Sequence, residues 1–243
     1  MIDPYSTSHA IDVLSALKVA QGEFMVAKVI AVFNQKGGCG KTTVSMQLAG
    51  TLGLRGNRVL VIDMDEQGTA TRWASQATDD DPFPATLSNL AMMGGKMHRE
   101  VRSQIENYDF IVIDCPPAVH SPSPSSAMLV ADLSLIPIVP APADMWAVVA
   151  AKQLAAQAQA TNEGLKIRLV PNMVQKNTTL ARDTLGVLAE DEEIPLLKSW
   201  LGSRSAYREC QLMGATVHHV SRAKDAISEV DALVNEVLEL VNH

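Results

Sequence analysis

The 243-residue chain is 47% hydrophobic but only 4% aromatic, which is ample material for a core of Val, Ile, Leu, Ala and Met. Its net charge of −7 excludes a protein that coats nucleic acid over its whole surface, while leaving room for a local basic patch. Cys39, Cys115 and Cys210 are scattered and lack C-x-x-C spacing, which argues against a disulfide framework or zinc site and for a reduced cytoplasmic compartment; no apolar run is long enough to cross a bilayer.

Residues 1–24 form an N-terminal extension ahead of a single domain over 25–243. Within it, Ser8 caps a short helix with Ile11, Leu14 and Leu17 on one side and Gly22 at its end. The stretch lacks the basic start and continuous apolar region of a secretory signal. It reads as a peripheral helix, with a partner-docking or dimer-contacting helix as the alternative.

Ala27–Phe33 is apolar and β-branched, as a buried strand requires. Next comes Asn-Gln-Lys-Gly-Gly-Cys-Gly-Lys-Thr-Thr at 34–43, then helical spacing from Val44, with Gly56 as a stop. Strand, glycine-rich turn and helix start are the context of a phosphate-binding loop. Gly37, Gly38 and Gly40 let successive N–H groups turn toward phosphate oxygens, and the helix presents its positive end to the same anion. In such a loop Cys39, Thr42 and Thr43 contribute backbone or hydroxyl contacts, Lys41 reaches the β- and γ-phosphates, and the Thr42 hydroxyl joins a Mg²⁺ site.

Arg58–Asp65 predicts a second buried strand ending in Asp63 and Asp65, and Thr69 opens the next helix after a turn at 66–68. Residues 79–84 read as a solvated turn. Helical patterns are expected over Leu87–Met93 and Met97–Ile105, separated by Gly94-Gly95. Tyr108–Pro117 is the third strand. Asp114 at its exit is the candidate Mg²⁺ carboxylate, and Asp109 at its entry lies at the wrong edge. Residues 118–126 form a Pro/Ser-rich loop that includes His120. Asp132–Asp144 is a strand leading into a proline-stiffened turn, with a helix from Met145 to about Ala160. Lys166–Asn172 is another strand, and Pro195–Trp200 is expected as a last edge strand.

The form Lys-Gly-Gly-x-Gly-Lys-Thr-Thr departs from G-x-x-x-x-G-K-S/T, with Gln35 in place of the first glycine and Lys36 beside it. It resembles the deviant phosphate loop of the ParA/MinD ATPases, most closely the small ParF-like partition proteins. The Asp63-x-Asp65-x-Gln67-Gly68 and Asp114-x-Pro116-Pro117 endings resemble the same family, with Glu66 where the family usually has proline. The resemblance implies a doubly wound α/β fold with a mostly parallel sheet, ATP and Mg²⁺ as ligands, and a face-to-face homodimer in which Lys36 reaches the partner's nucleotide. By the same resemblance Asp65 orients the attacking water, Asp63 supports the Mg²⁺ shell or caps the next helix, and Asn172 contacts adenine. The 195–200 region lines the other side of the base. Pro137-x-x-Pro140-x-x-x-Asp144 matches a run near the family's dimer interface. Family members often begin close to the first strand, which makes Met25 a candidate start.

Between Leu196 and Lys224 lie Lys198, Arg204, Arg208, Arg222 and Lys224 against a single acid, Glu209. Arg204 and Arg208, four apart, are expected on one helix face. The cluster reads as a salt-sensitive, nonspecific DNA surface, with a plain solvated face as the alternative. The final helix, about Arg222–Val241, repeats Ile227, Val230, Val234, Val237 and Val241 on one stripe. MinD-type members use a basic amphipathic tail on membranes. This tail is acidic (Asp225, Glu229, Asp231, Glu236, Glu239) and is expected to pack on the body instead. The resemblance therefore favours a ParA-like cycle of DNA binding and ATP hydrolysis stimulated by a ParB-like or other cargo adaptor, with nucleoid association in the ATP state. A MinD-like membrane regulator and a metabolic ATPase on the same scaffold are the alternatives.

Overall fold

The computed structural model describes residues 26–117 and 121–242. The extension helix expected near Ser8 and the loop residue His120 lie outside them. Six strands form one sheet: β1 (Lys28–Val32), β2 (Val59–Asp63), β3 (Thr86–Asn89), β4 (Phe110–Asp114), β5 (Leu133–Ile138) and β6 (Lys166–Pro171). Their spatial order is β3-β2-β4-β1-β5-β6, and every pairing is parallel. The four central strands are almost wholly buried, because helices cover both faces of a parallel sheet and leave no wet side for polar alternation.

The period of two sorts the strand residues between two cores. Ile30, Val32, Val59, Val61 and Val112 face α1 (Lys41–Leu54), α2 (Thr69–Ala74), α7 (Ala206–Leu212) and α8 (Lys224–Asn242). Val29, Ala31, Leu60, Ile62 and Ile111 face α3 (Met97–Gln104), α4 (Ser123–Met128) and α5 (Pro142–Gln159). The sixth strand is followed by α6 (Thr179–Ala189), whose N-cap Thr178 accepts a hydrogen bond from Ala181 N.

From β1 the chain passes to β2 on one side, and from β4 it crosses to β5 on the other. The strand order therefore reverses beside β1. Such a switch point opens a crevice at the carboxyl ends of the strands, where α/β ligand sites form. Register sets the acids there: Asp114 pairs with Val32 on one side and Asp63 on the other.

Several elements differ from expectation. Thr86–Asn89 is strand rather than the start of a helix, since these residues pair along the otherwise free edge of β2. The three-residue spacing of Leu87, Leu90 and Met93 imitated a helix locally; only Ala91–Lys96 coils, as a 3₁₀ turn. Pro195–Trp200 makes one isolated bridge, Leu196 to Leu169, and no strand. The N–H groups of Lys198 and Ser199 go instead to the Glu236 carboxylate. Helix α5 begins three residues early, at Pro142, whose fixed φ suits the first helical position.

The acidic final helix packs on the body. It buries Val230, Leu233, Val234, Val237 and Val241, each worth about 1.5–3 kcal/mol relative to exposure. Undocking the helix would also expose to water the apolar face of the body on which it packs. No described helix is long and apolar enough to cross a membrane.

Candidate functional site

The loop between β1 and α1 starts from a buried asparagine that local pattern did not single out. Asn34 donates to the Pro137 carbonyl on β5 (2.8 Å) and accepts from Lys36 N (3.0 Å), which fixes the exit angle of the chain. Lys36, Gly37 and Gly38 stand exposed. Gly38 and Gly40 have φ of 76° and 84°, left-handed values that glycine adopts without a Cβ penalty. At Gly40 a second constraint applies, because a Cβ would stand 2.1 Å from Asn172 Nδ2. Cys39 is buried, and burial raises its thiol pKa, so the loop uses its backbone and not a thiolate.

The two lysines diverge. Lys41 is buried, and its ammonium donates to the Lys36 carbonyl at 3.0 Å, inside the curl of the loop. Lys36 points elsewhere: its Nζ meets Asp144 Oδ2 at 2.8 Å, with the lysine side chain 41% exposed and the aspartate 5%. The other Asp144 oxygen is buried and has no hydrogen-bond partner among the described residues.

Beside the loop, Asp114 accepts from Thr42 Oγ1 (2.7 Å) and from Ser45 Oγ (2.9 Å). Ser45 lies one turn after Thr42 on the same helix face, and that i, i+3 relation was its only sequence signal. Burial drives the Asp114 carboxyl up to about 7; the two hydroxyls oppose the shift, nearby Asp63 adds to it, and Lys41 lowers it. A cation placed here would reverse that penalty. Among the described residues, no group of three His, Cys, Asp or Glu could hold a metal by itself. A hydroxyl and a carboxylate at a phosphate loop suit Mg²⁺, which keeps waters and takes its remaining ligands from phosphates.

Asp63 is fully buried, and both its oxygens are engaged within the chain. One accepts from Asp65 N (3.1 Å), the other from Thr71 N (2.9 Å) and Thr71 Oγ1 (2.8 Å). It braces the turn that carries Asp65 and ties it to α2. Asp65 itself is partly exposed, accepts from Gln67 N at 2.9 Å and shapes a turn closed by Gly68, whose φ is 62°. Glu66 is exposed on this turn.

Asn172 reaches the same loop from the far side of the sheet. Its Nδ2 donates to the Cys39 carbonyl at 2.8 Å, and its Oδ1 accepts from Met173 N at 2.9 Å. Thr43 sits half-buried in the first turn of α1. Register and hydrogen bonds thus gather Lys36, Gly37, Gly38, Cys39, Gly40, Lys41, Thr42, Thr43, Asp63, Asp65, Asp114 and Asn172 around one loop at the carboxyl ends of the strands.

The basic stretch is not one unit. Lys198, Arg208, Arg222 and Lys224 are exposed, and none of the four makes an ion pair among the described residues. Arg204 does not join them. It precedes α7, so it shares no helix face with Arg208. Its guanidinium is bound to Glu229 (Nη2 to Oε1, 2.7 Å) and Asp225 (3.1 Å). The final helix supplies the acids that remove this arginine from the cluster.

A parallel sheet with a glycine loop after its central strand, a paired lysine and hydroxyl at the helix start, and a carboxylate ending the neighbouring strand define a phosphate-loop nucleotide-binding domain. The chain belongs to the CobQ/CobB/MinD/ParA nucleotide binding domain family, whose profile matches residues 30–217. It is 31% identical over 215 residues to maintenance of carboxysome distribution protein A of Halothiobacillus neapolitanus, covering 87% of this chain and 97% of that protein. It is 29% identical over 206 residues to the sporulation initiation inhibitor protein Soj of Bacillus subtilis, covering 69% and 79%. Among solved structures, an ATP complex of an aspartate-to-alanine variant of Cyanothece McdA superposes with a TM-score of 0.73 at 15% identity, covering 87% and 96%.

Proposed function

We propose that this chain is a ParA-type ATPase that dimerises around ATP, holds DNA nonspecifically in that state, and positions a cargo through adaptor-stimulated hydrolysis. One observation carries the reading: the loop has two lysines with opposite orientations, Lys41 buried beneath it and Lys36 exposed and paired outside it. One chain needs only the first. An outward lysine held by a carboxylate suits transfer to the triphosphate of a facing copy, where its charge acts as an arginine finger does.

In this reading Lys41 and the loop N–H groups hold the phosphates, and Asn172 fixes the loop from the nucleoside side. Thr42 and Asp114 would hold Mg²⁺, which would supply charge neutralisation at the phosphates. Asp65 orients the attacking water, and Asp63 acts by holding the Asp65 turn. Lys198, Arg208, Arg222 and Lys224 furnish a phosphate-contacting surface without base-reading geometry. The names of relatives, carboxysome distribution in one and chromosome partitioning in others, suggest a carboxysome-like protein assembly or a chromosome region as cargo; the adaptor is a ParB-like or other cargo protein. We place the protein in the cytoplasm, on the nucleoid when ATP-bound.

The test is mass measurement in solution with ATP under turnover-blocking conditions, for the wild type and Lys36→Gln, beside DNA retention at rising salt. A wild-type dimer with ATP that is absent with ADP, and absent in the variant, supports the reading. A monomer at saturating ATP sinks it.

A further inference from the structure

The segment 198–204 runs beside the end of β6 as a short, bridge-like extension of the sheet, with Val174 and Gly202 paired and Leu201 fully buried. On its other side it is held by one face of α8. Glu236 accepts from the consecutive N–H groups of Lys198 (2.9 Å) and Ser199 (2.8 Å). Glu229, its side chain only 9% exposed, accepts from Gly202 N (2.9 Å), from the Arg204 guanidinium (2.7 Å at the closest) and from the Tyr207 hydroxyl (3.2 Å).

The two glutamates are seven residues apart, so they lie on one helix face about 10 Å from each other along the axis. Three extended residues, the distance from Ser199 to Gly202, also span about 10 Å. The match lets both carboxylates be satisfied at once with the segment drawn out along the helix.

The clamped segment is in turn laced to the strand exit that touches the phosphate loop. Leu201 N donates to Pro171 O (2.9 Å), Val174 N to Leu201 O (3.0 Å) and Ser203 N to Val174 O (3.1 Å). Between these bonds lie Asn172, on the Cys39 carbonyl, and Met173, whose Cε stands 3.4 Å from where a Gly40 Cβ would be. Sheet order places Asp63, Asp65 and Asp114 on the β2/β4 side of the loop and Asn172 on the β6 side. A triphosphate with its γ-end at the acids therefore directs its nucleoside toward 171–174 and the clamped segment. Ser199 Oγ in that segment is buried and has no partner among the described residues.

Attachment of α8 does not require these carboxylates, because its apolar stripe already holds it on the body. Desolvating a carboxylate against backbone amides is costly unless its hydrogen bonds are well made, and here they fix the side of the segment that its bonds to 171–174 leave unheld.

We propose that Glu229 and Glu236 are positioning residues for the nucleoside half of the ligand, and that Arg204 belongs to this clamp rather than to a DNA surface. The inference rests on nucleotide binding at the phosphate loop. Its test compares Glu236→Ala, Glu229→Gln and Arg204→Ala with wild type, measuring Kd for ATP, GTP and inorganic tripolyphosphate, with thermal melting alongside. The expected result for Glu236→Ala is ATP affinity weakened about tenfold and ATP-over-GTP preference reduced, with tripolyphosphate binding unchanged and the protein still folded, its melting temperature lowered by about 2–4 °C. Glu229→Gln keeps an acceptor for Gly202 N, and its effect should be smaller and in the same direction. Affinities for ATP and tripolyphosphate that fall together, or that do not change in folded variants, would overturn the clamp while leaving the nucleotide site intact. Wild type that binds tripolyphosphate as tightly as ATP would overturn it as well. Wild type that binds neither would remove both this inference and the reading beneath it.

Discussion

The phosphate-loop crevice and the 196–224 stretch are both dense in charge, but they differ in what the charge meets. Around the phosphate loop every titratable group named above except Asp65 and Glu66 is largely buried or paired to a buried partner: Lys41 to a loop carbonyl, Lys36 to Asp144, Asp114 to two hydroxyls, Asp63 to a turn and a helix. In the basic stretch four cations stand in solvent, and the fifth, Arg204, is claimed by two acids from another element. Burial forces a charge to find a specific partner, because an unpaired one costs several kcal/mol, whereas an exposed charge is under no such compulsion. The phosphate-loop region is therefore geometrically specific, and the exposed cations can act only through their summed field.

The sharpest way to break this contrast is Lys36→Gln. Adaptor-stimulated turnover should fall by about 10³-fold, the range of an arginine finger, with ATP binding to the single chain changed by less than about threefold. Single-turnover hydrolysis beside equilibrium binding measures both. A comparable loss of binding would mean that Lys36 serves its own chain.

Next in size is Asp114→Asn. Mg²⁺-dependent turnover should fall about 10²-fold or more. The same change should stabilise the nucleotide-free protein, and the pH sets how much. The Asp114 carboxyl titrates near 7 in the fold and near its ordinary 3.8 unfolded, so between those values the native state holds a proton the unfolded chain has released. Stability contributed at this site is lost as pH rises through that window. The melting-temperature gain of Asp114→Asn should therefore be larger at pH 8 than at pH 5, and a gain independent of pH would contradict the burial of a titrating carboxylate. In the wild type, the apparent affinity for Mg²⁺ with ATP should increase from pH 6 to pH 8, because the metal takes the deprotonated form.

Smaller effects should appear on the basic face. Arg208→Ala should weaken ATP-dependent DNA retention severalfold and reduce the salt slope by about 1, uniformly across DNA sequences. Arg204→Ala should leave that slope unchanged. Equal slopes for the two variants would return Arg204 to the cluster. The smallest effect expected is from Ser45→Ala, which removes one of two hydroxyls from Asp114 and should cost about 1 kcal/mol or less in urea unfolding at pH 8.

Much of this molecule is written locally. The glycine loop, the strands that end in Asp63 and Asp114, and the apolar stripe of the last helix are each patterns within one short stretch. Backbone freedom, strand period and helix period act over the same few residues that spell them. The parallel sheet follows from the alternation of such strands with helices.

Other features needed the chain to be folded. Asp144 meets Lys36 across 108 positions, and Glu229 meets Arg204 across 25. Thr86–Asn89 is strand because β2 had a free edge, against its own helical spacing. Arg204 looked like its cationic neighbours until a carboxylate from the last helix was laid against it. Spacing along a chain specifies which residues share a face. Which two faces meet is decided by strand order and by the burial of whole helices, and those are properties of the complete core.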